Sequence, residues 1–166
     1  TYLEPSGGNS AFEPLLNPKN TTTTWMDSCR IQIDALGHVT AAIHTTSSGQ
    51  GHETSFAQLA TERLGVPFDR VRIKENDSSD LPKGLASVGS RSMIMAGSAI
   101  AIAGDAVIEK GRSLASHVLE VSKADLEFRD GSFCVRGTDI SIGLLDLAMK
   151  VRSLRDLPPD LPATLD

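Results

Sequence analysis

Residues 93–108, Met-Ile-Met-Ala-Gly-Ser-Ala-Ile-Ala-Ile-Ala-Gly-Asp-Ala-Val-Ile, form the longest apolar run in the chain. Gly97, Ser98, Gly104 and Asp105 interrupt it, and it falls short of the roughly 20 residues that a membrane span requires. Helical spacing continues from residue 92 to about 121. The first half of this pattern is apolar almost all round, which predicts a helix buried on several sides. Gly97, Gly104 and Gly111 recur every seven residues and so share one stripe. Each costs up to ~1 kcal/mol against alanine inside a helix. Three in register predict a surface against which another backbone passes closely.

The remaining segments must cover such a helix. Cys29, Ile31 and Ile33 alternate with polar residues, as do Val39, Ala41 and Ile43, with a turn signal at Asp34-Ala35-Leu36-Gly37 between them. This is the pattern of a hairpin with one buried face. Phe56, Leu59, Ala60 and Leu64 then form a helical stripe that Gly65 and Pro67 stop. Val71 and Ile73 mark a short strand. Residues 126–128 and 133–135 flank the turn Arg129-Asp130-Gly131 as a second hairpin. A last helix is expected from 141 to about 151, with Ile142, Leu145 and Ala148 or Met149 inward. The expected architecture is α+β: a mixed sheet of hairpins, with the long buried helix and two shorter helices packed on it. Residues 1–24 read as an irregular arm, 25–151 as the folded unit, and 152–166 as a Pro-rich linker tail.

Charge and cysteine content narrow the function. The formal net charge is -5 and the 16 Lys and Arg residues form no basic block, which argues against nucleic acid or an anionic membrane as the main partner. Cys29 and Cys134 are far apart and in no Cys-x-x-Cys pairing. They encode no iron–sulfur or structural zinc site, and two reduced thiols suit a cytoplasmic protein. No basic region followed by an apolar run opens the chain, and Thr1 in place of Met is expected of an excised piece.

Two loops carry the chemistry. In Ser48-Gly49-Gln50-Gly51-His52-Glu53-Thr54, the glycines let a ligand reach the backbone. The following helix offers N–H donors and a positive dipole end, and Gln50 adds an amide that donates and accepts. Taken alone, this loop is equally a plain tight turn. Ser87-Val88-Gly89-Ser90-Arg91-Ser92 again joins glycine, hydroxyls and a helix N-terminus, and is equally a serine N-cap. Two such loops in one unit point to a shared ligand. The first lacks the lysine of a P-loop and the full Gly-x-Gly-x-x-Gly pattern of a dinucleotide binder. His52 has no second ligand at metal spacing, and His38, His44 and His117 read as structural or exposed.

The ordered set Gly49-Gln50-Gly51-His52-Glu53-Thr54, Ala57-Gln58-Leu59-Ala60, Leu64-Gly65-Val66-Pro67 and Gly89-Ser90-Arg91-Ser92 resembles the molybdenum-binding large subunit of the xanthine dehydrogenase, aldehyde oxidase and carbon monoxide dehydrogenase family. Its bacterial branch is the most similar. The resemblance extends to Glu4-Pro5-Ser6-Gly7-Gly8 and to the 125–131 hairpin. It implies that Gln50 hydrogen-bonds the molybdopterin, that the Gly89 backbone lies next to the molybdenum, and that Ser90 and Ser92 contact the cofactor, with Ser87 and Val88 flanking. Gly49, Gly51 and His52 would complete the cradle, His52 by packing or hydrogen bonding. It further implies a dinucleotide pterin such as molybdopterin cytosine dinucleotide, iron–sulfur and FAD groups on partner subunits, and a complete enzyme that oxidises aldehydes, purines and other N-heterocycles, or CO. Asn76-Asp77-Ser78-Ser79-Asp80 departs from the family's Gly-Asp-Thr-Asp-like segment. The family's base is a glutamate in a Gly-x-Gly-Glu-like segment. This chain has no such segment and no glutamate after Glu127, nor a matching substrate-side arginine loop. The chain is therefore expected to be a cofactor-binding fragment, inactive alone. The alternative is a non-catalytic binding or assembly module of the same fold.

Overall fold

A computed structural model describes residues 27–75, 77, 79, 84, 87–154 and 156–166. The arm expected over 1–24 and much of the polar stretch 76–86 lie outside the described residues.

The hairpin of β1 (Cys29–Ile33) and β2 (Val39–Ile43) forms in the expected register, with Ile31 opposite Ala41. Ile31, Ile33, Val39, Ala41 and Ile43 are all buried. Cys29 is only half-buried on its residue surface, yet burial pushes its thiol up to about 12. The turn is held by Asp34, whose carboxylate accepts the N–H of Leu36 at 2.8 Å and of His38 at 2.9 Å. These bonds, that of His38 foremost, hold the Asp34 carboxyl below the usual carboxylate range. Such a group adds stability above its ordinary pKa of about 4, and that stability disappears as pH falls through the lowered folded value. An Asp34→Asn variant, which cannot ionise, should therefore show a flatter loss of urea midpoint below about pH 4 than the parent. Parallel acid limbs would refute this.

From β2 the chain enters α1 (His52–Leu64) and returns as β3 (Val71–Glu75), parallel to β2. A crossover helix is the short way to join parallel neighbours. Phe56, Ala60 and Leu64 are buried as the stripe predicts. Gly65 caps α1 at φ 64°, its N–H donating to the Thr61 carbonyl at 2.8 Å. After the long helix α2 (Ser92–Leu119) come β4 (Leu126–Arg129) and β5 (Ser132–Val135), joined by Asp130 and Gly131 at φ 48° and 73°. Two positive φ values at a two-residue turn match the twist of a tight hairpin.

Among the described residues the strands divide into two three-stranded sheets, the mixed β1-β2-β3 and an antiparallel sheet in which residues 141–143 add a third strand to β4 and β5. The extra strand, β6 (Ser141–Gly143), occupies what the periodicity assigns to the start of the last helix, because Ile142 pairs with Phe133. Helix α3 (Leu144–Ser153) consequently turns a different stripe inward, Leu144, Leu147, Ala148 and Val151, leaving Met149 exposed.

The glycine stripe of α2 does mark close approach, but to side chains. A Cβ on Gly97 would meet Leu59, one on Gly104 would meet Arg63 and Leu64, and one on Gly111 would meet the Phe133 ring. Helix α1 and strand β5 thus lie against this stripe. By length and composition α2 could cross a membrane; here its glycine face is packed. Its first half is not covered on all sides, since Met93, Ile94 and Ile102 are exposed. Both sheets and the other helices lie against the face that carries the glycines, Ala96, Ile100 and Val107, so the apolar run exceeds what this core can cover. Among the described residues after α3 there is no helix or strand, but parts of this segment are packed. Leu165 is 2% exposed, and Asp166 accepts the Ile33 N–H at 3.3 Å. Apolar leucines in the tail find the same core as the helices.

Candidate cofactor site

Beyond β2, Thr45 to Ser48 carry the chain to the Gly49–Gly51 turn at the start of α1. Gly49 and Gly51 adopt φ 92° and 76°, and nothing lies within 4 Å of the position a Cβ would take at either. The glycines here serve the left-handed turn and leave open space on its outside.

Gln50 stitches this turn to the second loop. Its Nε2 donates to the Thr46 carbonyl and to Ser87 Oγ, both at 3.2 Å. Its Oε1 accepts the Ser48 N–H and, at 3.5 Å, the Ser47 hydroxyl. Ser87 Oγ lies 2.7 Å from Ser92 Oγ, which lies 3.3 Å from Thr45 Oγ1. A continuous polar chain thus runs from one loop to the other across 37 residues of sequence.

The second loop ends in Gly89 and Ser90 at φ 60° and 50°. A left-handed serine is uncommon and is retained only where its surroundings hold it. Ser92 does not cap α2: the N-cap is Arg91, which makes no side-chain cap bond, and Gly51 makes none for α1. The serine-cap reading of this loop is thereby corrected. The Ser92 hydroxyl is drawn instead into the chain through Ser87. Arg91 is buried, at 2% exposure, and pairs with Asp27 at 3.0 Å.

Between the loops lies a pocket of about 400 Å³ lined by Gln50, His52, Ser87, Val88, Gly89, Ser90, Ser92 and Met93. Seven of the nine residues singled out in the sequence line it; Gly49 and Gly51 shape the turn behind it. Met93 was missed, although it follows Ser92 in the first turn of α2. Glu75 was also missed. It ends β3, accepts the Ser47 N–H at 2.7 Å, and brings Oε1 within 3.8 Å of His52 Nδ1. Those two atoms are buried and have no hydrogen-bond partner. No local signal could mark Glu75, because only the β2–β3 pairing brings it to the loop. Among the described residues, no group of three or more His, Cys, Asp or Glu side chains could hold a metal ion. A second opening, of about 450 Å³, is lined by Glu53, Phe68 and Arg72 among others and contains none of the candidate residues.

Such a pocket suits a polar, planar ligand. Its lining carries no Asp, Glu, Lys or Arg, its donors include amide and hydroxyl groups, and two helices begin beside it without side-chain caps.

The sequence profile of the molybdopterin cofactor-binding domain matches residues 2–160. The carbon monoxide dehydrogenase large chain of Hydrogenophaga pseudoflava is 42% identical over 113 residues, covering 68% of this chain and 14% of its own. The reconstituted CO dehydrogenase from Oligotropha carboxidovorans superposes with a TM-score of 0.79 at 36% identity, over 86% of this chain and 18% of that one. Quinoline 2-oxidoreductase from Pseudomonas putida 86 superposes with a TM-score of 0.81 at 32% identity, over 98% of this chain and 20% of that one. The chain thus spans a fifth or less of the length of these relatives. With a profile match along nearly its whole length and this agreement in fold, the chain belongs to the molybdopterin cofactor-binding domain family of molybdenum-hydroxylase large subunits.

Proposed function

We propose that the pocket between the Gly49–Gly51 turn and the 87–92 loop holds the molybdopterin, with the Gly89 backbone nearest the metal. The observation that carries this is the Gln50–Ser87–Ser92 hydrogen-bonded chain, which closes two glycine-containing loops around one polar pocket. The residues present fit the group. Gly49 and Gly51 have no side chain to obstruct it, and Ser87, Ser90 and Ser92 offer hydroxyls to its polar edges. The His52 ring also lines the pocket and adds a ring nitrogen to its wall.

When bound, the molybdenum centre supplies the redox chemistry of a hydroxylase. The chain's own residues bind and orient it. Within a complete large subunit the substrate is an aldehyde, an N-heterocycle or CO, and other parts of that subunit supply the base. A dinucleotide pterin, partner subunits with iron–sulfur and FAD groups, and a cytoplasmic location complete the proposal.

Gln50 is the residue on which the cradle turns. Its replacement by alanine removes the bonds to Thr46 and Ser87 and the contact offered to the ligand. At ~1–3 kcal/mol for a lost hydrogen-bonded amide, the Gln50→Ala holoenzyme should retain its cofactor about tenfold less tightly. Metal analysis and pterin fluorescence of the purified holoenzyme measure this. Full molybdenum and pterin occupancy in a Gln50→Ala, Ser92→Ala double variant would falsify the assignment.

A further inference from the structure

Glu75 touches both Ser47, which leads into the Gly49–Gly51 turn, and His52, which lines the pocket. Parallel pairing of β3 with β2 sets it beside Ile43, where the chain leaves the sheet for the Gly49–Gly51 turn. One carboxylate oxygen, Oε2, accepts the Ser47 N–H at 2.7 Å. The other, Oε1, faces His52 Nδ1 at 3.8 Å, and the two side chains are 16% and 7% exposed. Neither of these facing atoms has a hydrogen-bond partner. Phe56 lies against the imidazole, with ring centroids 4.9 Å apart, and limits where the ring can go. The gap is too short to admit a water between the atoms, and a shift of less than about 1 Å brings them to bonding distance. Two buried orphans are each costly, and one bond between them satisfies both.

A carboxylate only accepts, whereas a neutral imidazole has one donor nitrogen and one acceptor nitrogen. A bond to Glu75 therefore places the hydrogen on Nδ1 and leaves the lone pair on Nε2, across the ring. The Gln50 amide offers the ligand no spare acceptor. Gln50 Oε1 is already occupied by the Ser48 N–H, and Gln50 Nε2 donates to Thr46 and Ser87. A pterin presents amino and ring N–H donors that need acceptors.

We infer that Glu75 is a positioning residue that fixes His52 as the Nδ1–H tautomer, so that Nε2 accepts a hydrogen bond from an N–H of the bound pterin. This rests on the reading of the pocket as the pterin site. Glu75→Gln is the informative change. Its amide keeps one oxygen for the Ser47 N–H and turns an NH2 group toward His52 Nδ1. The ring must then accept at Nδ1 and carry its hydrogen on Nε2, where it opposes the ligand donor.

The chain has four histidines, so 15N-histidine labelling of the full chain resolves the ring nitrogens of His52. The expected result is Nδ1–H in the parent and Nε2–H in Glu75→Gln. Loss of one ligand hydrogen bond should weaken pterin retention in the holoenzyme about tenfold. Finding Nε2–H in the parent overturns the inference without any variant, so a Glu75→Gln protein that failed to fold would not shield it. Reversal of the tautomer with unchanged pterin retention also overturns it. If Gln50→Ala loses the cofactor while Glu75→Gln does not, the assignment of Glu75 fails and the pocket reading stands. If Gln50→Ala keeps the cofactor, the pocket reading fails first.

Discussion

Replacing Gly131 with alanine should destabilise the fold by about 2–5 kcal/mol. The left-handed conformation costs alanine ~1–2 kcal/mol, and forced overlap in a packed region adds ~1–3 kcal/mol. Gly131 has φ 73°, and a Cβ there would run into the backbone carbonyl of Gly65. The reverse also holds, since a Cβ on Gly65 would meet the backbone of Gly131. Backbone cannot rotate aside as a side-chain tip can. This contact ties the C-terminus of α1 to the β4–β5 turn, and the Gly131 carbonyl accepts the N–H of Leu144 at the start of α3. At roughly 2–4 °C per kcal/mol for a chain of this size, thermal unfolding should fall by about 4–20 °C. Gly137 is the control: its φ is 75°, but nothing lies within 4 Å of its Cβ position, so Gly137→Ala should cost only the ~1–2 kcal/mol of the left-handed backbone. Equal losses in the two variants would remove the steric part of the argument. Combining Gly65→Ala with Gly131→Ala should cost less than the sum, because both disturb one contact.

Arg91→Ala should be of similar severity. The Arg91 and Asp27 side chains are 2% and 0% exposed and 3.0 Å apart. Breaking such a pair strands a buried charge, at about 3–5 kcal/mol. Arg91 also keeps Nε and Nη1 buried without hydrogen-bond partners, so its own charge is incompletely compensated. Replacing both charges, as in Arg91→Met with Asp27→Asn, should recover most of the loss. Urea midpoints at constant m-value measure both effects. A single variant that costs under about 1 kcal/mol would show the pair to be solvated rather than buried. Because Arg91 is the N-cap of α2 and sits between Ser90 and Ser92, Arg91→Ala should also lower pterin occupancy in the holoenzyme.

Both residues show where sequence reading stops. Asp130-Gly131 is legible as a turn, and Gly65 as a helix stop, from local chemistry alone. That the two glycines touch is a tertiary fact, since they are separated by 65 positions and sit on different elements. The α2 helix was legible from its unbroken apolar run, and its glycine stripe from the period of seven. What the stripe faces, α1 and Phe133, was not. The start of α3 was misplaced because Ile142 fits a helical stripe as well as a strand. Pairing with Phe133 decided between them.

The site divides in the same way. Local backbone demands determined the two loops in sequence: glycines where φ is positive, hydroxyls and an amide beside helix N-termini, and the order of motifs that links them to one family. Gln50 and the 87–92 loop could be named because their chemistry is carried by neighbours in the chain. Glu75, Asp27 and Met93 could not, because a carboxylate at a strand end or a methionine in a helix is ordinary until something is packed against it. Only the parallel pairing of β3 with β2 carries Glu75 to His52, and only closure of the core buries Arg91 against Asp27. Hydrogen bonding and burial depend on distance in space, and the sequence by itself records distance only along the chain.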